Sequence, residues 1–465
     1  MIDAINDFLW TYVLVAVLLG AGLWFTIRTR GVQFTYLCEM ARLLVRSGRK
    51  YDRKTDLHQP KGKTISSFQA FAVSLASRVG TGNIAGVAIA IAMGGPGAVF
   101  WMWVVALIGS SNAFIESTLA QLFKVRGDHS YRGGPAYYIS KGIGSRWYAV
   151  TFAILITVTF GLAFNSVQAN TIALAFENTF GTGTIVTAVV LTLLTLVIIF
   201  GGIQRIARFN EWLVPVMALF YILLALYVVA TRISMFPHIV RLIFDNAFGL
   251  DQAMGGSIGM AMIMGVKRGL FSNEAGEGST PNAAATAAVS HPVKQGLIQT
   301  LGVYVDTLVV CTATAFIILC SGLYDTGLTG IVLTEAALTC EIGIFAKYFL
   351  TAAIAMFAFS SIVANYYYGE TNLQFISGSR SLIVGFRLLV GAIVFLGSLA
   401  ALDLVWALAD ITMALMTLCN IIAILILGRY AIRCLDDYRR QRRQGFDPQY
   451  RSSTIPSIEK ETECW

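Results

Sequence analysis

Apolar segments of about 20 residues recur along the whole chain, and they constrain its fold more than any other feature. A helix of that length crosses about 30 Å of hydrocarbon. The chain is 56% hydrophobic and only 13% charged, whereas about 25% of the residues of soluble domains are charged. The sequence therefore predicts an all-α integral membrane protein.

The apolar segments predict about eleven transmembrane helices. Their approximate bounds are 11–27, 66–93, 98–123, 148–176, 183–202, 211–231, 248–270, 294–321, 343–368, 380–401 and 404–428. Asp3 and Asp7 precede the first segment, where a signal peptide would carry basic residues, and no A-x-A cleavage site follows it. We therefore expect a first helix that is retained.

Basic residues cluster in alternate connecting segments, which predicts an orientation. The segments 28–63 and 124–146 and the tail 429–465 are all basic, so we expect a cytoplasmic C-terminus and an outside N-terminus in a bacterial inner membrane. The formal net charge of +8 follows this pattern and does not indicate nucleic-acid binding. The loop 232–251 is expected to form a short surface helix, and the polar tail is expected to be disordered.

One predicted helix is interrupted at its centre by "SLASRVGTGNIAG", residues 74–86. Glycine weakens a helix, and Gly80 and Gly82 flank Thr81 and precede Asn83. Unwound backbone persists at membrane depth only where it lines a polar cavity or is buried in protein. The alternative interpretation is a helix crossing packed through glycine, with no ligand.

A second glycine cluster, at Gly255, Gly256, Ser257 and Gly259, lies in the predicted helix 248–270. If the segment 1–65 is an added element, the remaining helices form two sets of five, 66–231 and 248–428, of inverted topology. Glycine-interrupted helices at matching positions of two such halves point to the binding site of a transporter. Unpaired amides at such a break suit a substrate carboxylate, and unpaired carbonyls suit a small cation.

Several long motifs resemble those of the alanine/glycine:cation symporter family. They are "GTGNIAGVA", "GGPGAVFWMWVVALIG" (94–109), "GVKRGLFSNEAGEGSTPNAA" (265–284) and "NYYYGETN" (365–372). The resemblance implies import of small neutral amino acids, chiefly alanine or glycine, with sodium as the coupling ion and no organic cofactor. It also implies a LeuT-like fold of two inverted five-helix repeats with one extra N-terminal helix, as a monomer or weak oligomer.

The resemblance also implies roles for particular residues. A sodium ion is expected at the carbonyls of Ala76 and Val79 and at the hydroxyls of Ser360 and Ser361. The amides of Thr81 and Gly82 are expected to hold the substrate carboxylate, and Asn83 to bridge substrate and a first sodium. The residues expected to line the pocket are Ser257, Gly259 and Met260.

Polar residues inside the predicted helices are further candidates. Gln168 and Asn170 fit either a substrate contact or hydrogen bonds between helices. Arg78 and Glu116 are expected to form an ion pair within the bundle, unless Arg78 faces a wet vestibule. The charges expected at the cytoplasmic mouth, as an ion-pair gate or as a solvated helix end, are Lys267, Arg268, Glu274 and Glu277.

Other classes of membrane protein fit less well. A channel would show a repeated pore loop or polar ring, an ATP-driven pump a Walker motif, and a zinc protease an H-E-x-x-H motif, and the sequence contains none of these. Proton coupling is the alternative to sodium coupling. Neither glycine cluster contains Asp or Glu, which weakens that alternative, and Glu116 is the candidate proton carrier.

Overall fold

The structure is a computed structural model that describes residue 6 and residues 8–47, 65–127, 130–249 and 258–465. The described residues are nearly all helical, and their buried apolar side chains form one large continuous core. The strands among them are β1 (Val125–Arg126) and β2 (Tyr131–Arg132), which pair antiparallel. The predicted all-α architecture is confirmed.

The helices follow the predicted order. Before residue 250 they are α1 (Leu9–Arg28), α2 (Val32–Thr35), α3 (Leu37–Ser47), α4 (Ser67–Arg78), α5 (Gly82–Gly94), α6 (Ala98–Leu122), α7 (135–143), α8 (Arg146–Phe180), α9 (Thr184–Ile199), α10 (Gly202–Thr231) and α11 (Phe236–Ala247). After it they are α12 (Ile258–Asn273), α13 (Pro281–Ala284), α14 (Pro292–Ser321), α15 (Gly330–Ile342), α16 (Phe345–Ile376), α17 (Arg380–Leu399) and α18 (Leu402–Arg443).

Within the described ranges, eight helices are long and apolar enough to cross a membrane. The bent pair of α4 and α5 adds a ninth. Helix α9 is apolar but shorter, and α12 begins where the described residues resume. The count of about eleven crossings and the division into repeats 66–231 and 248–428 stay predictions.

The first predicted break is confirmed. Helix α4 begins at a capping box, in which Ser66 and Gln69 each accept a hydrogen bond from the other's backbone amide. It ends at Arg78, because Val79 has an extended ψ of 90°. Helix α5 then leaves at an angle of 48°. A side chain at Gly80 would lie 2.5 Å from the Ser361 hydroxyl oxygen, so the break needs a glycine there.

A second break among the described residues follows α12. Helix α12 ends at Asn273, and the residues from 274 to 280 are not helical until α13 begins. In that segment Glu274, Gly276 and Gly278 have φ angles of 55°, 96° and 88°. Glycine adopts these left-handed conformations without strain, and a glutamate rarely does. The break is therefore formed by "NEAGEGS".

The glycine cluster chosen from the sequence is not this break. Gly259 lies inside α12, and Gly255, Gly256 and Ser257 lie outside the described residues. A break at Gly255 to Ser257 therefore stays a prediction. The break at residues 274–280 was not predicted, because its glycines alternate with acidic residues and do not lie in an apolar run. The acidic residues suggested a solvated helix end, whereas Glu274 and Glu277 are buried.

The expected surface helix in the loop 232–251 is confirmed as α11, Phe236–Ala247. Ile239 and Ile243 are buried, whereas the side chain of Arg241 is 81% exposed. One face of α11 therefore packs on the bundle, and the opposite face carries the positive charge that the orientation rule did not expect there.

The tail 429–465 is ordered, which corrects the predicted disorder. Helix α18 continues to Arg443, and Arg442 pairs with Glu39 at 3.0 Å. The segment after α18 folds back on the bundle, where the Trp465 indole donates to the Gln121 carbonyl at 3.0 Å. Composition suggested disorder because the tail is polar, but its charges have partners on other helices that the composition does not reveal.

Candidate functional site

The two breaks face each other in the middle of the bundle. A Cβ at Gly82 would lie 3.0 Å from the Phe271 ring and 3.3 Å from the Ser272 Cα. The Ser77 hydroxyl, on the last turn of α4, donates to the Glu274 carboxylate at 2.5 Å. The end of α12 thus packs directly on the first break, so that unwound backbone from two helices meets at one place.

The amides of the first break are held by two side-chain amides. The Gly80 amide donates to Asn83 Oδ1 at 2.9 Å, and the Thr81 amide donates to Gln168 Oε1 at 3.0 Å. Each acceptor is an uncharged oxygen at a position that suits the oxygen of a carboxylate. A carboxylate that replaced Gln168 at the Thr81 amide would gain the charge-assisted form of the same hydrogen bond.

The predicted cation ligands largely come together. The Ser361 hydroxyl donates to the Ala76 carbonyl at 2.7 Å and lies 3.4 Å from the Val79 carbonyl. Both serine hydroxyls lie within 3.0 Å of the Phe357 carbonyl, but the other neighbour of the Ser360 hydroxyl is the Met217 sulfur and not a carbonyl of α4. The oxygens that converge at the end of α4 are therefore those of Ala76, Val79 and Ser361.

Asp306 completes the surroundings of Asn83, and the sequence reasoning missed it. The Asn83 side-chain nitrogen donates to Asp306 Oδ1 at 2.6 Å. Ser272 and Thr307 donate to Asp306 Oδ2 at 2.8 Å and 2.9 Å. The available signal was an aspartate inside the apolar run "YVDTLVVC", since ionisable residues at membrane depth mark functional sites.

An aromatic layer covers the first break. The ring of Phe271 lies 4.5 Å from the Phe164 ring and 4.7 Å from the Trp406 ring, measured between centroids. Phe271 touches Gly82, and a Cβ at Gly86 would lie 3.8 Å from Trp406. Little space separates the glycines from the rings, so the layer favours a small side chain on any ligand at the break.

A cluster of charged side chains lies next to the aromatic layer, in contact with Trp406. Arg268 donates to both carboxylate oxygens of Asp410 at 3.0 Å and 2.9 Å, and Lys267 lies 2.7 Å from the same carboxylate. The Arg268 guanidinium also stacks 4.4 Å from the centroid of Trp406. A cavity of about 570 Å³ opens on this cluster and is lined also by Asn6.

This location does not fit a placement of Lys267 and Arg268 at the same end of the bundle as the tail, which the sequence predicts to be the cytoplasmic end. Their cavity is shared with Asn6, near the N-terminus, and with the 324–329 loop. The tail 429–465 packs at the other end of the bundle. The reason is that α12 ends at Asn273, in mid-bundle, so its last turns lie between the second break and the end of the bundle that is opposite the tail.

Arg78 and Glu116 are both buried but do not form the expected ion pair. Arg78 Nη1 donates to the Gln299 carbonyl at 3.1 Å. Glu116 accepts instead from the Gly276 and Gly278 amides, each at 3.1 Å. The carboxylate of Glu116 therefore holds the second break in shape, and Arg78 packs against α14.

Two of the pocket residues expected from the second glycine cluster, Gly259 and Met260, do not lie at the break after α12. Ala261 and Met264 pack on Gly94, at the end of α5 that is remote from Gly82. Met260, in the same turns of α12, is 41% exposed. Gly259 is exposed as well, and Ser257 lies outside the described residues. Phe271 and Ser272 occupy the position that these residues were expected to take.

Gln168 and Asn170 have separate environments, although they lie on the same helix, α8. Gln168 contacts the break through the Thr81 amide. The Asn170 side chain instead donates to the carbonyls of Gly397 and Ala400 at 3.2 Å and 2.7 Å, which ties α8 to the connection between α17 and α18. Asn170 therefore has the helix-bonding role that the sequence left open, and Gln168 has the contact with the site.

Because of this difference, alanine at position 170 should mainly reduce stability, whereas alanine at position 168 should mainly change the KM for substrate. Asn170→Ala should lower the free energy of unfolding by about 1–2 kcal/mol, because it removes buried hydrogen bonds, and leave the KM for substrate unchanged. Gln168→Ala should change KM by at least about threefold with a smaller loss of stability. Thermal unfolding and uptake kinetics of both variants check this. A change of KM in Asn170→Ala alone would contradict the assignment.

Comparison with known proteins agrees with this architecture. The sequence model of the sodium:alanine symporter family matches residues 1–452. The chain belongs to this family. The amino-acid carrier protein AlsT of Bacillus subtilis (strain 168) is 52% identical, over 100% of this chain and 97% of that protein. The probable sodium/glutamine symporter GlnT of the same organism is 50% identical, over 99% of this chain and 94% of that protein.

A solved structure resembles the fold at low sequence identity. The crystal structure of MhsT in complex with L-phenylalanine aligns with a TM-score of 0.54 at 13% identity, covering 86% of this chain and 93% of that chain. The LeuT-like fold is thereby confirmed. As a member of the sodium:alanine symporter family, the protein is a multi-pass membrane protein that carries out amino-acid symport, and it is not an enzyme.

Proposed function

We propose that this symporter imports small neutral amino acids, chiefly alanine or glycine, together with sodium by alternating access. The observation that carries the proposal is the contact of the Ser361 hydroxyl with the Ala76 and Val79 carbonyls beside the Gly82 break. Hydroxyl and carbonyl oxygens are the ligands that a hard cation prefers. A sodium ion held there would tie α16 to α4, next to the site for the amino acid.

In this proposal the substrate carboxylate binds at the start of α5. The Thr81 amide and the Gly82 backbone would receive it, and the Gln168 side chain would turn from the Thr81 amide toward the substrate amine. The positive end of the α5 dipole favours a negative group at this position. Asn83, bonded to Asp306, lies beside the same backbone and would bridge to a first sodium ion.

Substrate size would be limited by the aromatic layer. Phe271 lies directly against Gly82, so the room for a side chain ends at its ring. Glycine and alanine carry the smallest side chains and fit this limit best. GlnT, a relative of similar length, is named for glutamine, so Phe271 provides a direct test of the size limit.

Replacing Phe271 by alanine should widen the specificity. The removed ring leaves space beside Gly82, and glutamine should then compete for alanine uptake at least about tenfold better than in the wild type, a difference of about 1.4 kcal/mol. Competition uptake with unlabelled amino acids of increasing size measures this. Phe176→Ala, on the apolar outer side of α8, is the matched control. Equal profiles for both variants would contradict the size limit.

Uptake by proteoliposomes tests the proposed function as a whole. Labelled alanine should accumulate under an inward sodium gradient and should not accumulate when potassium replaces sodium. Glycine should compete, and large neutral amino acids should not. Accumulation driven equally well by a proton gradient alone would contradict sodium coupling, and a flat competition profile would contradict the choice of small substrates.

The same experiment judges the alternative, proton coupling. The observation in its favour is that buried acidic residues are more numerous at the breaks than the sequence suggested: Asp306, Glu274 and Glu277 join Glu116.

We also propose an orientation in the bacterial inner membrane, with the N-terminus outside and the tail in the cytoplasm. Protease access to the 444–465 segment in right-side-out and inside-out vesicles tests it.

A further inference from the structure

Three buried carboxylates surround the second break. Glu116 reaches it from α6, and Glu274 and Glu277 belong to the non-helical segment itself. The positive charge that acts on all three is that of Arg78, on α4. One guanidinium cannot neutralise three carboxylates. The hydrogen-bond partners of each carboxylate indicate which of them are ionised.

Glu116 has the partners of an ionised carboxylate. Its Oε1 accepts from the Gly276 amide and its Oε2 from the Gly278 amide, both at 3.1 Å. The Asn420 side-chain nitrogen also donates to Oε2, at 2.8 Å. Every partner is an N–H donor, and an ionised carboxylate is an acceptor only. Glu116 is therefore satisfied as an anion.

Glu274 is satisfied in the same way by hydroxyl groups. Ser77 donates to its Oε1 at 2.5 Å, and Ser279 donates to its Oε2 at 2.5 Å. Thr280 adds a longer contact to Oε2 at 3.3 Å. Glu116 and Glu274 together carry two negative charges, and the single positive charge of Arg78 can offset only one of them.

Glu277 differs from both. It is completely buried, and within the described part of the chain neither of its carboxylate oxygens meets a hydrogen-bond donor. The charges that act on it are Glu274, Glu116 and Arg78, so two of the three are repulsive to an anion. An ionised carboxylate in these surroundings would have neither hydrogen bonds nor a compensating charge of its own, which is costly at membrane depth.

We propose that Glu277 is a buried proton-binding site that holds its proton while the two breaks are packed together and releases it to water when they separate. A metal ion that requires three or more His, Cys, Asp or Glu ligands fits less well, because the described residues contain no such group. The titratable surroundings also include Asp306 and Tyr368 beside Glu274, and Tyr138 beside Glu116. The inference goes beyond the proposed function and does not depend on which ion drives uptake.

The stability of the purified full-length protein in detergent tests the proposal without any transport measurement. If the folded state holds a proton that the unfolded chain loses, stability falls as pH rises. The wild type should lose about 3 °C or more of melting temperature between about pH 6 and about pH 9. Glu277→Gln, which is neutral at every pH, should show a much smaller change and should be more stable than the wild type at the higher pH.

Glu274→Gln is the matched control, since it lies in the same segment. It removes an anion that accepts three hydroxyl hydrogen bonds, so it should be less stable than the wild type at both pH values. It should still lose stability as pH rises, although by less than the wild type, because one of the charges that repel an anion at Glu277 is gone. An unchanged pH dependence in Glu277→Gln would overturn the proposal. So would a stabilisation at high pH by sodium, and not by choline, that is present in the wild type and absent from Glu277→Gln, because the ion would then be bound at Glu277.

A measurement on the wild type keeps the proposal testable if Glu277→Gln does not fold. Infrared spectra of the full-length protein should contain the band of a protonated carboxylic acid at neutral pH, and the band should be absent from the neutral variant Glu277→Met. Wild-type protein without such a band would contradict the assignment. Because neither spectra nor melting curves involve transport, failure of this proposal and failure of sodium-coupled uptake can be told apart.

Discussion

Ser361→Ala should raise the sodium concentration required for half-maximal alanine uptake at least about tenfold, equivalent to about 1.4 kcal/mol of binding free energy. The reason is that the Ser361 hydroxyl is the side-chain oxygen closest to the Ala76 and Val79 carbonyls, and alanine has no oxygen with which to bind a hard cation. Uptake measured as a function of sodium concentration in proteoliposomes gives the result directly.

Ser360→Ala is the control for this variant. Ser360 is the preceding residue on α16 and is equally buried, but its hydroxyl faces the Phe357 carbonyl and Met217. The sodium dependence of Ser360→Ala should stay within about threefold of the wild type. If the two variants changed the sodium dependence equally, or if Ser360→Ala had the larger effect, the oxygen set proposed here would be wrong.

Asp410→Asn should destabilise the protein by about 3–5 kcal/mol, because it leaves the buried guanidinium of Arg268 without its carboxylate. Both oxygens of Asp410 are bonded by Arg268, and the side chains of Asp410 and Arg268 are only 4% and 5% exposed. Asparagine preserves the size of the side chain, so the loss reports charge rather than packing. Thermal unfolding of the purified protein measures it.

Asp245→Asn is the comparison for Asp410→Asn. Asp245 pairs with Arg241 on α11 at 3.1 Å, and the side chain of Arg241 is 81% exposed. Solvent screens such a pair, and its loss should cost no more than about 1 kcal/mol. Equal destabilisation by the two variants would show that the Asp410 cluster is weaker than its burial indicates.

The helices were predictable because the information is local. A run of apolar residues long enough to cross the bilayer is visible in the sequence itself, and α6 begins at the predicted residue 98 and ends at Leu122. The break at Gly80 was predictable for the same reason, since glycine weakens a helix wherever it occurs. The ligands on α16 came from the family resemblance, because Ser361 and Ala76 are 285 residues apart.

The partners of the charged residues were not predictable. An arginine at membrane depth suggested an acidic partner, but Arg78 is bonded to the carbonyl of Gln299, a backbone atom 221 residues away. Backbone carbonyls occur at every residue and leave no sequence signal. The positions of Lys267 and Arg268 along the bundle were not predictable for a related reason, because they depend on where α12 ends.

The sequence alone determined that this chain is a polytopic helical membrane protein with a broken helix at Gly80, since hydropathy and glycine content act within one segment. The tertiary structure decided that the second break is at Glu274 to Ser279, that Phe271 covers Gly82, and that Asp306 and Glu277 belong to the same buried region. These features depend on which helices meet and at what depth. Packing of the whole bundle sets both, and no single segment contains that information.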